Sequence, residues 1–210
     1  MRIRFAGLAA SALGGLALLT PTAPLFAADH SASASHEGAT TMQHDTTNAS
    51  INDGRHDFDF WMGKWTIHNR RLKERLKNSH DWEEFEANGE AQPLLGGIGN
   101  IDSFLAPAWR PGFAGGTLRL FNPATRKWSI YWMENQTGVL QPPVVGSFVN
   151  GVGTFEAPDE HDGIPVTVRF TWNAIDPAHP VWQQAFSTDG GKSWETNWIM
   201  TMTRMNGATQ

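Results

Sequence analysis

From residue 55 onward the chain alternates apolar and polar side chains with a period of two, in short runs cut by Gly, Pro, Asn and Asp, and no long stretch holds a helical period of 3.6. Successive side chains of a strand point to opposite faces, so this texture commits the chain to sheet. The runs fall at 65–72, 82–91, 98–105, 117–121, 128–133, 144–149, 153–157, 166–172, 181–187 and 194–204. About ten strands are therefore expected. The turns between them are those of antiparallel hairpins: Asn122-Pro123-Ala124-Thr125, Asn150-Gly151 and Asp189-Gly190-Gly191. Only 56–62 reads as a helical turn, placed to plug one end. A meander of so many short strands hides its edges most simply by closing on itself. The expected fold class is thus all-β, an antiparallel up-and-down barrel, with an immunoglobulin-like β-sandwich as the alternative.

The first 54 residues have a different character. Met1-Arg2-Ile3-Arg4 is a short basic start that runs into an uncharged apolar stretch over 5–19, broken by Thr20-Pro21 and Pro24 before the first acid at Asp29. This is the order of a secretory signal peptide, and the apolar stretch is shorter than the roughly 20 residues a membrane-spanning helix needs. Residues 1–28 are read as a signal peptide, 29–54 as a disordered Ser/Thr/Ala-rich linker, 55–205 as the barrel domain and 206–210 as a C-terminal tail. The expected location is periplasmic or extracellular, with no membrane span after cleavage. His30, His36 and His44 in the linker are irregularly spaced and read as solvated residues, not metal ligands.

The chain has no cysteine. Disulfides, thiolate catalysis, cysteine-bound metal and lipid attachment through cysteine are therefore excluded. Acids outnumber bases, 21 Asp+Glu against 16 Lys+Arg, and two of those bases lie in the leader. With no basic block to grip phosphates, nucleic acid is not an expected partner. All 10 Trp lie beyond residue 60, against a single Tyr. Each buried indole contributes a large apolar area and an N–H that needs an acceptor, so the domain has a rigid aromatic interior or an aromatic-lined cavity.

Gly63-Lys64-Trp65, opening the first strand after a helical turn, resembles the Gly-x-Trp start of the lipocalin and fatty-acid-binding group of calycin barrels. That resemblance implies structural roles: Trp65 closing the barrel base under an arginine near the end of the last strand, which Arg204 supplies. More broadly, FDFWMGKW, PLLGGIGNID, LRLFNPATRKWSIYW, PPVVGSF, VRFTW and FSTDGGKSWETNWIM resemble an uncharacterised family of exported bacterial proteins with calycin-like barrels. This implies a fold and a compartment but no activity. The run Ser187 to Trp194 also matches the Asp-box pattern S-x-D-x-G-x-x-W of sialidases. A single copy without blade-length repeats does not make a propeller, and Asp189 is read as capping a hairpin over Trp194.

Candidate functional residues lie where strands carry polar rows. In 166–172 an apolar row opposes Thr167, Arg169 and Thr171, and in 194–204 Trp194, Thr196, Trp198 and Met200 oppose Glu195, Asn197 and Ile199. If the polar rows face inward, Arg169, Gln184, Glu195 and Asn197 form a hydrogen-bonding floor for a small polar or carboxylate ligand, within walls drawn from Trp128, Trp132, Trp172, Trp182 and Trp198. If they face outward they are solvated, and period two alone does not choose. His68, Arg70 and Arg71 stand beside Glu83, Glu84 and Glu86 on the neighbouring strand, as acid–base candidates or as surface ion pairs. Neither a preformed metal site nor a cofactor site is expected. The leading expectation is an exported module that binds a small apolar or amphipathic molecule. The alternatives are a calycin-type enzyme using Arg169, Glu195 or His68, and a barrel with a solid core; a homodimer is open to all three.

Overall fold

The computed structural model describes residues 53–205. The expected leader, the C-terminal tail and all of the linker except Asp53 and Gly54 lie outside the described residues. Ten strands follow one another: β1 (Gly63–Leu72), β2 (Trp82–Leu94), β3 (Gly99–Leu105), β4 (Ala114–Asn122), β5 (Lys127–Glu134), β6 (Val144–Val149), β7 (Val152–His161), β8 (Ile164–Asn173), β9 (Val181–Ser187) and β10 (Glu195–Arg204). Each pairs antiparallel with the next, and β10 returns to β1, closing the barrel. The seam runs from Trp65 opposite Arg204 to Arg71 opposite Trp198. All-β closure, and not a sandwich, is the solution this meander takes, because it leaves no edge strand unpaired.

Alternation decides the walls. On β1 the side chains of Trp65, Ile67, Asn69 and Arg71 are buried while Lys64, Thr66 and Arg70 are exposed; on β2 Phe85, Ala87, Gly89 and Ala91 are buried against exposed Glu84, Glu86, Asn88 and Glu90. The outer rows pair across the strands, His68 to Glu86 at 2.7 Å and Arg70 to Glu84 at 3.1 Å. So charged a band faces water, since acyl chains would impose a cost on each such side chain. Among the described residues no helix is long and apolar enough to cross a membrane.

One end is sealed by the segment that precedes β1. Its helical part is shorter than expected, a single 3₁₀ turn at Asp59–Trp61. Phe58 packs edge-on against Trp128, Phe148 and Trp172 at centroid distances of 5.0, 4.9 and 5.8 Å. Trp61 stacks on Trp65 at 5.0 Å. A buried carboxylate holds the plug: Asp102 on β3 accepts hydrogen bonds from the Trp61 indole N–H, the Thr117 backbone N–H and the Arg119 guanidinium, at 2.9, 2.9 and 2.7 Å. Gly54, at the end of the expected linker, already belongs to this end, because its carbonyl accepts from the Trp128 indole at 2.9 Å.

Arg204 lies 4.2 Å above the Trp65 ring and donates to the Met62 and Phe60 carbonyls at 2.5 and 2.6 Å. Gly63 has φ of 107°, and a Cβ there would meet the Arg204 guanidinium at 2.9 Å. Glycine at this position serves both the turn into β1 and the approach of the arginine.

Candidate functional site at the opposite rim

The two ends of the barrel are packed differently. At the plugged end Trp65, Trp128 and Phe155 are fully buried. Toward the other end, Trp109, Trp132, Phe170 and Trp198 pack on the core yet keep part of their surface accessible. Trp198 is central: it meets Phe104, Trp109 and Trp182 at centroid distances of 6.2, 6.2 and 5.9 Å, and its indole donates to Asn69 at 3.0 Å. Trp109 comes from the β3–β4 connection and stacks on Phe85 at 4.2 Å.

Buried arginines stand among these rings. Alternation along β1 sends Arg71 inward, where it is 8% exposed, pairs with Glu83 at 2.8 Å and lies 5.4 Å from the Trp198 ring. Arg75 arrives from the β1–β2 loop and is 6% exposed, 5.9 Å from Trp198 and 5.7 Å from Phe186. The loop that carries it is held by β10: both carboxylate oxygens of Glu195 accept the Leu76 backbone N–H at 2.9 Å. Leu76 has φ of 59°, a left-handed conformation that costs a branched residue about 1 kcal/mol or more. Burial, with the Arg71 charge beside it, pulls the Arg75 guanidinium from its ordinary value down to about 9. His161, the last residue of β7, is 8% exposed and sits 5.2 Å from Phe186; burial lowers its pKa, so the neutral imidazole is favoured. Among the described residues, Nε of Arg71, Nε and Nη2 of Arg75 and Nε2 of His161 find no hydrogen-bond partner.

The residues singled out in the sequence are distributed over three places. Trp132, Trp182, Trp198, Gln184, Glu195 and Asn197 lie on the inner side of the upper barrel, with Gln184 donating to Asn197 at 2.8 Å. Trp128 and Trp172 belong to the sealed lower core and do not reach the rim. Arg169 must be corrected: it projects from the outer wall, pairs with Glu156 at 2.6 Å and covers the face of Trp194 at 3.6 Å. The apolar row of β8 takes the interior, leaving Thr167, Arg169 and Thr171 outside. On β10 the expectation that polar and aromatic rows face opposite ways fails, because the register shifts between Thr196 and Trp198. Asn197 is the inserted residue of this bulge, 0% exposed, and the extra residue brings Glu195 and Trp198 to the same inner face.

His68 is an outer-wall residue against Glu86, on the face of β1 opposite to Arg71. Asp189 accepts from the Ser193 hydroxyl, the Ser193 and Lys192 amides and the Ser187 hydroxyl, and these bonds hold its carboxyl well below the usual range. Trp194 donates to the Gly191 carbonyl at 3.0 Å. This hairpin is a capped turn. A groove of about 590 Å³ on the outer wall, lined by Ile101, Leu118, Met133 and Leu140, contains none of the expected ligand-binding residues. Among the described residues no cluster of His, Asp and Glu is placed to hold a metal ion.

Sequence reading missed Arg75, Trp109, Arg110 and His161. Arg75 was the hardest to find, since a basic residue in a polar loop has no periodicity to mark it as buried. His161 carried a faint signal, standing at the end of an alternating stretch that continues beyond Ala157.

No protein-family model matches this sequence, and no curated protein is similar to it. Among solved structures, the S-type phycobiliprotein lyase CPES from Guillardia theta is similar, with 13% identity, a TM-score of 0.48, and coverage of 71% of this chain and 90% of that one. The closed, ten-stranded up-and-down barrel itself is established by the strand order described above.

Proposed function

We propose that this protein is an exported module that binds a small apolar or amphipathic molecule at the aromatic rim of its barrel. The observation that carries the reading is the contrast between the tryptophans of the two ends: Trp61, Trp65, Trp128 and Trp172 are buried at the plugged end, and Trp109, Trp132 and Trp198 are partly accessible at the other. Covering accessible apolar surface contributes about 25 cal/mol per Å², and rings already fixed by packing lose little entropy when a ligand lands on them. Native mass spectrometry of the protein purified from its own exported fraction tests this. A reproducible extra mass, with a shifted Trp emission, is the expected result. Repeated recovery of the bare mass with unaltered emission counts against a carrier. N-terminal sequencing of the same material tests export, the expected start lying close to residue 28.

One observation favours a second reading, an enzyme that acts on the bound molecule. His161 presents a buried imidazole held toward its neutral form, whose Nε2 makes no hydrogen bond and has only Asp162 at 3.7 Å, a state in which it can accept a proton. Conversion of a component of an exported metabolite mixture by the wild type but not by His161→Gln is the result expected of it. Equal conversion by both proteins excludes His161 from the chemistry.

A further inference from the structure

We infer that the rim recognises a carboxylate, held edge-on by Arg75 with Arg71 beside it, so that the ligand is an aromatic or otherwise flat organic acid. The inference rests on the rim-binding reading and names the chemistry of its ligand.

The two unpartnered atoms of Arg75, Nε and Nη2, form one edge of its guanidinium. That edge is a two-pronged donor whose spacing matches the two oxygens of a carboxylate, a match a lysine ammonium does not offer. Arg71 is occupied by Glu83 through Nη1, yet its Nε is also unpartnered. Both guanidiniums lie over the Trp198 ring, at 5.4 and 5.9 Å, and Arg71 lies 5.6 Å from the Trp109 ring as well, so an acid held by them is placed beside these indoles.

The local charge points the same way. The charged groups that act on Arg75 are Arg71, Arg110, Glu83 and Glu195. Glu83 is engaged by Arg71, and Glu195 is engaged by the Leu76 amide without a hydrogen bond to Arg75. With Arg75 itself the cluster carries one positive charge in excess, in a place where a buried cation lacking a partner costs several kcal/mol. Nor is the placement accidental to the loop. Holding Leu76 at positive φ with a two-oxygen clamp from β10 costs backbone strain, and its effect is to keep Arg75 inside the barrel.

Fluorescence titration with 2-naphthoate and with its neutral isostere 2-naphthamide tests the inference, since both accept energy from Trp. Wild type is expected to bind the acid at least about tenfold more tightly than the amide, the difference a charge-assisted pair makes. Arg75→Met brings that ratio close to one, and Arg75→Lys restores it only in part, because the fork is missing. Acetate, at constant ionic strength, is expected to raise the unfolding temperature of wild type more than that of Arg75→Met. Should Arg75→Met fail to fold, the wild-type ratio and Arg75→Lys still decide. Equal affinities for acid and amide in wild type overturn the carboxylate site and leave the aromatic rim standing. An acetate effect that depends on Arg75, with neither naphthyl compound bound, overturns the rim reading and leaves an anion site. Binding of none of the three overturns both.

Discussion

Arg70 and Arg71 are neighbours in the chain and occupy opposite sides of the wall. Arg70 points to water, pairs with Glu84 at 3.1 Å and lies over Trp82. Such an exposed pair contributes about 0–1 kcal/mol, so Glu84→Ala is expected to leave urea unfolding nearly unchanged. Asp102 presents the contrary case, a buried carboxylate with three donors on it, one from the plug and two from β4. Asp102→Ala strands the Arg119 charge in the core and is expected to cost about 3–5 kcal/mol in urea unfolding. At the rim, His161 makes a pH prediction. Its folded pKa lies below the ordinary 6.5, from burial first and then from Arg75 and Arg71, opposed by Asp162 and Glu195. The unfolded chain therefore takes up its proton first as pH falls. This contribution is complete above about pH 6.5 and is lost as the pH drops from there through the lower folded value. Thermal unfolding of His161→Gln is expected to fall less steeply than wild type across that window. A parallel slope would show that His161 does not titrate differently on folding.

At the scale of the element, the strands are shaped by what their neighbours leave room for. Gly146 on β6 faces Trp128 on β5 and Phe155 on β7, and a Cβ built on it would collide with the Thr154 carbonyl oxygen. The obstacle is backbone, which cannot swing aside as a side chain can. Gly146→Ala is expected to cost about 3 kcal/mol, with altered near-ultraviolet dichroism from the aromatic core around the displaced Phe155. The β10 bulge acts on a different property, the direction of side chains. By inserting Asn197 it places Glu195 where it can hold the β1–β2 loop, while Trp198 still faces inward. Without that extra residue, period two would force one of the two to the outer wall.

At the scale of the molecule, closure through β1 and β10 joins every strand into one hydrogen-bonded ring, and one aromatic core runs through it. A single cooperative unfolding transition is expected, with fluorescence and far-ultraviolet dichroism coinciding. The uneven sealing of the two ends also predicts two classes of tryptophan. Acrylamide is expected to quench the rim indoles of Trp109, Trp132 and Trp198 together with the outer-wall Trp82 and Trp194, and to spare Trp61, Trp65 and Trp128. Saturating 2-naphthoate is expected to protect the three rim indoles but not Trp82 and Trp194. Uniform quenching of all emission would contradict the contrast on which the functional reading stands.

Strand positions were legible because period-two alternation and Gly, Pro, Asn and Asp turns are local properties, written into consecutive residues. All ten runs are strands, and the up-and-down order follows from hairpins too short to cross over. The roles of Gly63, Trp65 and Arg204 came by another route, the resemblance of Gly63-Lys64-Trp65 to the start of calycin barrels. Which polar residues enter the barrel was not local. Arg169 and Gln184 both lie in alternating strands, yet the first stands outside and the second inside, since only the closed sheet assigns a face to each row. The sequence by itself determined an antiparallel meander of about ten strands, and the structure decided that it closes into a barrel and not a sandwich. Tertiary structure alone decided that the segment carrying Arg71 and Arg75 meets His161 and Glu195, both far from it in the chain, at one rim, because burial, a register shift and a loop folded back over the barrel act across strands and not along them.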